Sequence, residues 1–319
     1  MSEKILGIDL GTTNSLVGVV DSGFPILFAD EAGSRLTPSV VHFAGGGEIL
    51  VGEKARRMKV RSPQLTVSSV KRKMGEGTEL IVGDEKLSPE EVSSHILIHL
   101  KNIAEEASGD VFDKAVITVP AYFNDAQRVA TKRAGNLAGL EVVRILSEPT
   151  AAAISFGLDK AKEKSKVVVY DFGGGTFDVS VLELNDGVFQ VLATSGDTRL
   201  GGDDLDYEIA EWFYREAESS DISEATVDVR ERFIESARLT KEALSSNEEF
   251  SVRIPFYEGK KSFESKITRN GLNQIIKPII ERTVRHCKTA LLDSGLGLDE
   301  VDSIVLVGGS TRIPLVQEI

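Results

Sequence analysis

The sequence has one cysteine, Cys287, no long apolar run and no excess of positive charge. Each absence excludes a class of protein. A lone cysteine cannot close an internal disulfide and fits a reducing compartment, for which the cytoplasm is the simplest expectation. Asp9 cuts the N-terminal apolar run short, which argues against a signal peptide, and no stretch approaches the ~20 apolar residues of a membrane-spanning helix. The net charge of −13 argues against nucleic acid and anionic membranes as partners, since both demand an excess of Lys and Arg on at least one face. The stretch KVRSPQLTVSSVKRK at 59–73 is a local cationic exception. Two common nucleotide signatures are also missing: there is no G-x-x-x-x-G-K-[ST], and no G-x-G-x-x-G between a strand and a helix. Neither a P-loop nor a dinucleotide fold is supported.

What is present is a long chain, 319 residues with 41% apolar content, which exceeds the length at which one core usually stops growing. Two lobes are the expectation. The segment VVVYDFGGGTFDVSVLELNDG at 167–187 has a fainter copy, ILGIDLGTTNSLVGVVDSG, at 5–23. Alternation predicts strands at 5–10, 15–20 and 25–29 as an antiparallel meander. Gly45-Gly46-Gly47 signals a further hairpin. Ser88-Pro89-Glu90-Glu91 predicts a helix start, with Ser as cap, Pro in the first turn and acids at the positive end of the dipole. A strand at 114–119, a helix at 124–138, a strand at 141–146 and a helix at 148–157 complete the first half. The charged stretch 158–166 marks the boundary.

The second half repeats the order, with strands at 166–171, 176–184 and 187–194 and a helix from about 203 to 218. An insert follows, made of a helix near 228–246, a hairpin at 249–267 and a helix at 270–292. A strand at 303–307 and a helix beginning at Arg312 come last. Counterparts of the strand at 141–146 and the helix at 148–157 are missing from this half. The chain is therefore expected to be truncated relative to its parent, or to receive its closing element from elsewhere.

Each Asp-x-Gly turn has a phosphate reading. Glycine lets backbone N–H groups approach an anion, threonine adds hydroxyl donors, and an aspartate at a strand end can hold a hydrated Mg²⁺. Either turn alone could be a plain hairpin. Duplication in matching order favours the phosphate reading, with the two turns clamping a polyphosphate in a cleft between the lobes. His95 and His99 have the i, i+4 spacing of a zinc helix but lack the Glu of H-E-x-x-H, and His286-Cys287 point apart on a helix, so neither pair is expected to act.

Six segments, GIDLGTTNS (7–15), VITVPAYFNDAQR (116–128), SEPTAAAISFGLD (147–159), YDFGGGTFDVS (170–180), GDTRLGGDDLD (196–206) and VLVGGSTRIP (305–314), resemble the ATPase domain of the seventy-kilodalton heat-shock chaperones, DnaK-like in type. The resemblance implies an α/β, actin-like ATPase fold of two lobes, each an RNase-H-like core with an inserted subdomain. Lobe I would span 1–165 with a small insert at about 38–87. Lobe II would span 166–319, with its core at 166–200 and 293–319 and its insert at about 201–292.

The same resemblance implies ATP/ADP and Mg²⁺ as ligands, with potassium as a further candidate ion. Asp9 and Asp171 would hold Mg²⁺ through water. Lys71, Glu148, Asp171 and Thr176 would be catalytic: Lys71 at the γ-phosphate and the attacking water, Glu148 at the Mg²⁺ shell. Gly11, Thr12, Thr13 and Asn14 would form one phosphate turn, Gly173, Gly174, Gly175 and Thr176 the other. Gly201, Gly202, Lys241, Ser245, Gly308, Gly309, Ser310 and Arg312 match the adenosine side. Pro120 and Arg128 match an interdomain relay. The motif departs at Arg238 and Glu242, where the family often has Glu and Arg or an apolar residue, which puts the adenine grip in question.

Read without the family, Lys71 is a solvated helix lysine, Glu148 a helix-start acid, Pro120 a strand terminator and Arg128 an exposed helix charge. The family reading makes the chain a chaperone ATPase of the stress response. Its partners would be a J-domain co-chaperone and a nucleotide exchange factor, and unfolded clients would need a peptide-binding domain absent from this chain. The rival readings are an actin-like filament protein, a sugar kinase of the same superfamily, and an inactive fragment. MGEGTELIVGDEKLS at 74–88 echoes compact bacterial forms, while VSSVKRKMG and VFQVLATSGD echo an iron–sulfur assembly branch.

Overall fold

The computed structural model describes residues 4–156, 165–218 and 220–319. Two compact units divide the chain, Met1–Phe156 and Gly157–Ile319. Most of the charged boundary stretch, residues 158–164, lies outside the described residues.

In the first unit, strands β1 (Leu6–Asp9), β2 (Asn14–Asp21) and β3 (Phe24–Leu27) form the meander that alternation predicts. A small insert follows, comprising β4 (Thr37–Pro38), β5 (Val40–Phe43), β6 (Ile49–Val51), helix α1 (Glu53–Lys59), β7 (Thr66–Ser68), β8 (Leu80–Val82) and β9 (Glu85–Leu87). The triple glycine closes the β5–β6 hairpin as a 3-10 turn. Helix α2 (Pro89–Ser108) begins with a full capping box: Ser88 Oγ accepts from Glu91 N while Glu91 accepts from Ser88 N. That reciprocal pairing satisfies two backbone donors that a helix start otherwise leaves open.

Strand β10 (Lys114–Val119), helix α3 (Asp125–Leu137), strand β11 (Glu141–Ser147) and helix α4 (Glu148–Ser155) complete this unit. The sheet runs β11-β10-β1-β2-β3, with β10 and β11 parallel to β1 and the meander antiparallel. Leu6, Ile8, Ile96, Leu97, Leu100 and Ile117 form the heart of its core.

The second unit repeats that design with β12 (Ser165–Phe172), β13 (Phe177–Asn185) and β14 (Val188–Asp197), an antiparallel meander. Helices α5 (Gly202–Glu218) and α6 (Val227–Leu244), the hairpin β15 (Glu249–Glu258) and β16 (Lys261–Thr268), and helix α7 (Arg269–Ser294) make the insert. Strand β17 (Ser303–Val307) then pairs in parallel with β12, giving the order β14-β13-β12-β17. Asp9 ends β1 and Asp171 stands one residue before the end of the equivalent β12, each strand flanked by one parallel and one antiparallel neighbour. Among the described residues nothing pairs with the outer edge of β17, the position that β11 fills in the first unit.

Aromatic rings fill much of the second core, with Phe177 packed 4.8 Å from Tyr170 and Phe233 packed 5.1 Å from Tyr257. One expected boundary is displaced. Arg312 ends a 3-10 turn, Gly309–Arg312, and the helix, α8 (Pro314–Glu318), starts only after it, because proline suits a first helical turn better than an interior. No helix among the described residues is long and apolar enough to cross a membrane.

Candidate functional site

In the first unit the chain turns between Asp9 and Asn14, and the turn is pinned from outside. Ser39 Oγ donates to Gly11 O at 2.8 Å, and Ser39 N donates to Thr13 O at 2.8 Å. A Cβ on Gly11 would lie 2.0 Å from Asn14 O, so only glycine permits this turn. Thr118 Oγ1, on the neighbouring β10, donates to Asp9 Oδ1 at 2.7 Å and holds that carboxylate in one orientation. Thr12 is buried, and Thr13 Oγ1 is buried with no hydrogen-bond partner among the described residues. A buried hydroxyl left open is costly unless a ligand completes it. Asn14 is exposed and pairs with Pro38 at the start of the insert.

Lys71 is not a solvated helix lysine. It lies in a 3-10 turn, Val70–Lys73, at 5% exposure, with Nζ 2.6 Å from Glu148 Oε1 and 5.7 Å from the centre of the Phe123 ring. Glu148 heads α4 beside the buried Pro149, so the helix start positions it while Lys71 neutralises it. Removing two charges from water is expensive, and such a pair persists only where geometry compensates. Arg128 is likewise engaged: Nε donates to Phe123 O and Nη2 to Ala121 O, each at 3.0 Å. It ties α3 to the turn that follows the buried Pro120. Phe123 then stands between this clamp and the Lys71 ammonium.

In the second unit Asp171 lies opposite Asp178 across the β12–β13 pair, one residue before the end of β12. The turn from Gly173 to Thr176 closes through Gly173 N donating to Thr176 O at 3.1 Å. Three groups hold it: Gly202 N and Ser310 Oγ donate to Gly173 O at 3.0 and 2.9 Å, and Asp203 N donates to Gly174 O at 2.7 Å. The glycine turn, the start of α5 and the loop after β17 are thus one assembly. Gly308 has φ +88°, and a Cβ there would meet Phe172 O at 2.4 Å and Asp171 Oδ1 at 2.7 Å. Glycine at 308 keeps the space beside Asp171 open.

The expected nucleoside-side residues divide. Gly201, Gly202, Ser310 and Lys241 meet around the glycine turn, with Lys241 Nζ donating to Gly202 O at 3.0 Å, while Gly308 backs onto Phe172 and Asp171 and Gly309 follows it in the 3-10 turn. Ser245 caps the C-terminus of α6, and its hydroxyl donates to Lys241 O at 3.1 Å. Arg312 is exposed at the end of its turn. Arg238 pairs with both Glu235, at 2.6 and 2.9 Å, and Glu242, at 2.7 Å. Burial opposes its charge, but the two carboxylates outweigh that and raise its pKa. This part of α6 thus presents a neutralised arginine network.

Several residues here have no counterpart in the sequence reading: Thr118, Ser39, Phe123 and Asp206. Asp206 Oδ1 lies 2.8 Å from Lys241 Nζ. Burial pushes its carboxyl up to about 6, against the lowering effect of Lys241. Its signal was legible, an acid occupying a slot of the apolar i, i+3, i+4 stripe of α5. The two histidine pairs serve packing. His95 stands edge-on to Phe43, burial lowers the pKa of both His95 and His99, and His286 Nδ1 pairs with Ser195 Oγ at 3.0 Å. Burial pushes the Cys287 thiol up to about 11, so it is protonated and unreactive at neutral pH. A family model described as Hsp70 protein matches residues 5–82 and 77–319.

Proposed function

The chain belongs to the Hsp70 protein family, whose fold is the actin-like ATPase fold, and on that premise we propose that it binds ATP with Mg²⁺ and hydrolyses it to ADP and phosphate. It would do so as the nucleotide-binding part of a protein-folding chaperone. The observation that carries this reading is the repeated design: in each unit an aspartate lies at or one residue before the end of the strand between parallel and antiparallel neighbours, and a glycine-threonine turn follows.

The residues fit the expected ligands. Thr13 Oγ1 is a buried donor awaiting an acceptor, and both turns are held by outside bonds so that their N–H groups are preorganised for phosphate oxygens. Magnesium supplies charge neutralisation at those oxygens when bound. Asp9, its carboxylate turned by Thr118, and Asp171 would hold that ion through water. Lys71 offers a fixed positive charge to the negative charge that develops on the transferred phosphoryl group, and Glu148 fixes its ammonium. Asp171 and Thr176 orient the attacking water. Lys241 and Ser245, with the Gly201-Gly202 and Gly308–Ser310 segments, receive the nucleoside.

Arg128 and Pro120 would report the state of this site. Movement of Lys71 presses on Phe123, whose carbonyl Arg128 holds. Family membership supports a J-domain protein and a nucleotide exchange factor as partners, with clients bound through a further domain. The test is phosphate release from ATP with no sugar added. Slow turnover that stops on chelating Mg²⁺ supports the reading. Absence of release under single-turnover conditions refutes hydrolysis by this chain, and strong concentration-dependent light scattering with MgATP would favour the filament reading instead.

A further inference from the structure

Asp206 stands on the stripe of α5 that includes the buried Leu205, Ile209 and Phe213, where an apolar residue is the ordinary choice. A carboxylate there is costly unless paired. Its partner is the Lys241 ammonium on α6, 2.8 Å away, and both residues are under a tenth exposed. The same ammonium donates to Gly202 O, and Gly202 N donates to Gly173 O in the phosphate turn. An unbroken path of polar contacts therefore runs from Asp206 through Lys241 and Gly202 to Gly173.

We propose that Asp206 is a positioning residue: it fixes the Lys241 ammonium against the start of α5 and so sets the nucleoside side of the site for binding. The inference rests on the nucleotide-binding reading above. A pair that served only to neutralise a buried acid would govern stability and leave nucleotide affinity untouched. Lys241 argues against so limited a role, because an ammonium has three donors: Gly202 O takes one, and Asp206 Oδ1 faces the ammonium as an ion pair without a hydrogen bond among the described residues. That arrangement leaves donor capacity for a ligand.

Charge makes the role measurable. Burial raises the Asp206 carboxyl most, Lys241 and Arg238 on α6 lower it, and Asp203 on its own helix raises it further, placing it at about 6. Acidification from pH 7.5 to 5.5 therefore protonates a larger share of Asp206 and weakens the pair. Nucleotide phosphates titrate in the same range, so the Asp206→Asn variant, which cannot titrate at this site, serves as the reference.

The experiment titrates the full chain and Asp206→Asn with MgADP at pH 7.5 and 5.5. In parallel, acetylation of Lys241 by acetic anhydride is followed by mass spectrometry without nucleotide. The proposal expects the variant to bind at least tenfold more weakly at pH 7.5, that gap to shrink at pH 5.5, and Lys241 to acetylate faster in the variant. Unchanged affinity in a folded variant overturns it, whatever the acetylation shows. If Asp206→Asn does not fold, Asp206→Glu keeps the charge and displaces the ammonium: it must bind MgADP more weakly than the parent, and parent-like affinity overturns the proposal. Failure of the parent to bind MgADP strikes the nucleotide reading itself. The acetylation contrast then decides whether Asp206 holds Lys241, equal rates overturning it.

Discussion

At Lys71 a residue type that normally stays in water is buried against a carboxylate 77 positions away. Coulomb attraction in a dry setting offsets part of the desolvation cost, and removing one partner takes from the other an opposite charge 2.6 Å away. Lys71→Ala should therefore lower the unfolding free energy by about 3–5 kcal/mol, keep MgADP affinity within a few-fold, and reduce turnover at least a hundredfold. Denaturant titration and phosphate release read the two effects separately. Adding Glu148→Gln should restore part of the stability and none of the turnover, since it removes the carboxylate charge that the ammonium had neutralised without replacing the ammonium. A Lys71→Ala chain that hydrolyses ATP at the parent rate contradicts the role given to this lysine.

The elements were largely legible because their signals are local. Ser88-Pro89-Glu90-Glu91 announces α2, alternation announces the two meanders, and Asp-Ser-Gly at 21–23 announces the β2–β3 turn. Ser88→Ala tests the first of these. It should cost about 1 kcal/mol at neutral pH, measured by denaturant unfolding. The bonds that Ser88 gives to Glu91 hold that carboxyl below its ordinary range, so their stabilisation is present above the unfolded value and fades as pH falls through the folded one. The cost of the substitution should accordingly narrow below about pH 4. What the sequence did not reveal is tertiary. Thr118 reads as one more strand residue until β10 is seen beside β1. Lys71 reads as solvated until its 3-10 turn meets α4. Arg128 reads as a surface charge until its fork reaches two carbonyls. The α8 start was missed for a local reason, the 3-10 turn that Gly308 permits before Pro314.

On the scale of the whole molecule, the repeat is the central fact. Two units with the same strand design carry the same aspartate and glycine-threonine turn, and one chemistry explains why both keep it. The second unit differs in its larger insert and in the outer edge of β17, which has no strand partner among the described residues and where Ile304 and Leu306 are exposed. The first helix of that insert braces the glycine turn, through Gly202 N on Gly173 O and Asp203 N on Gly174 O. A ligand that binds only the folded chain adds stability by mass action, about 2.7 kcal/mol at 100 times its dissociation constant. The most direct measurement is the Tm of this chain with Mg²⁺ alone and with millimolar MgADP. A nucleotide-binding chain should show a rise of several degrees with MgADP and none with Mg²⁺ alone. A Tm unmoved by millimolar MgADP would contradict that binding.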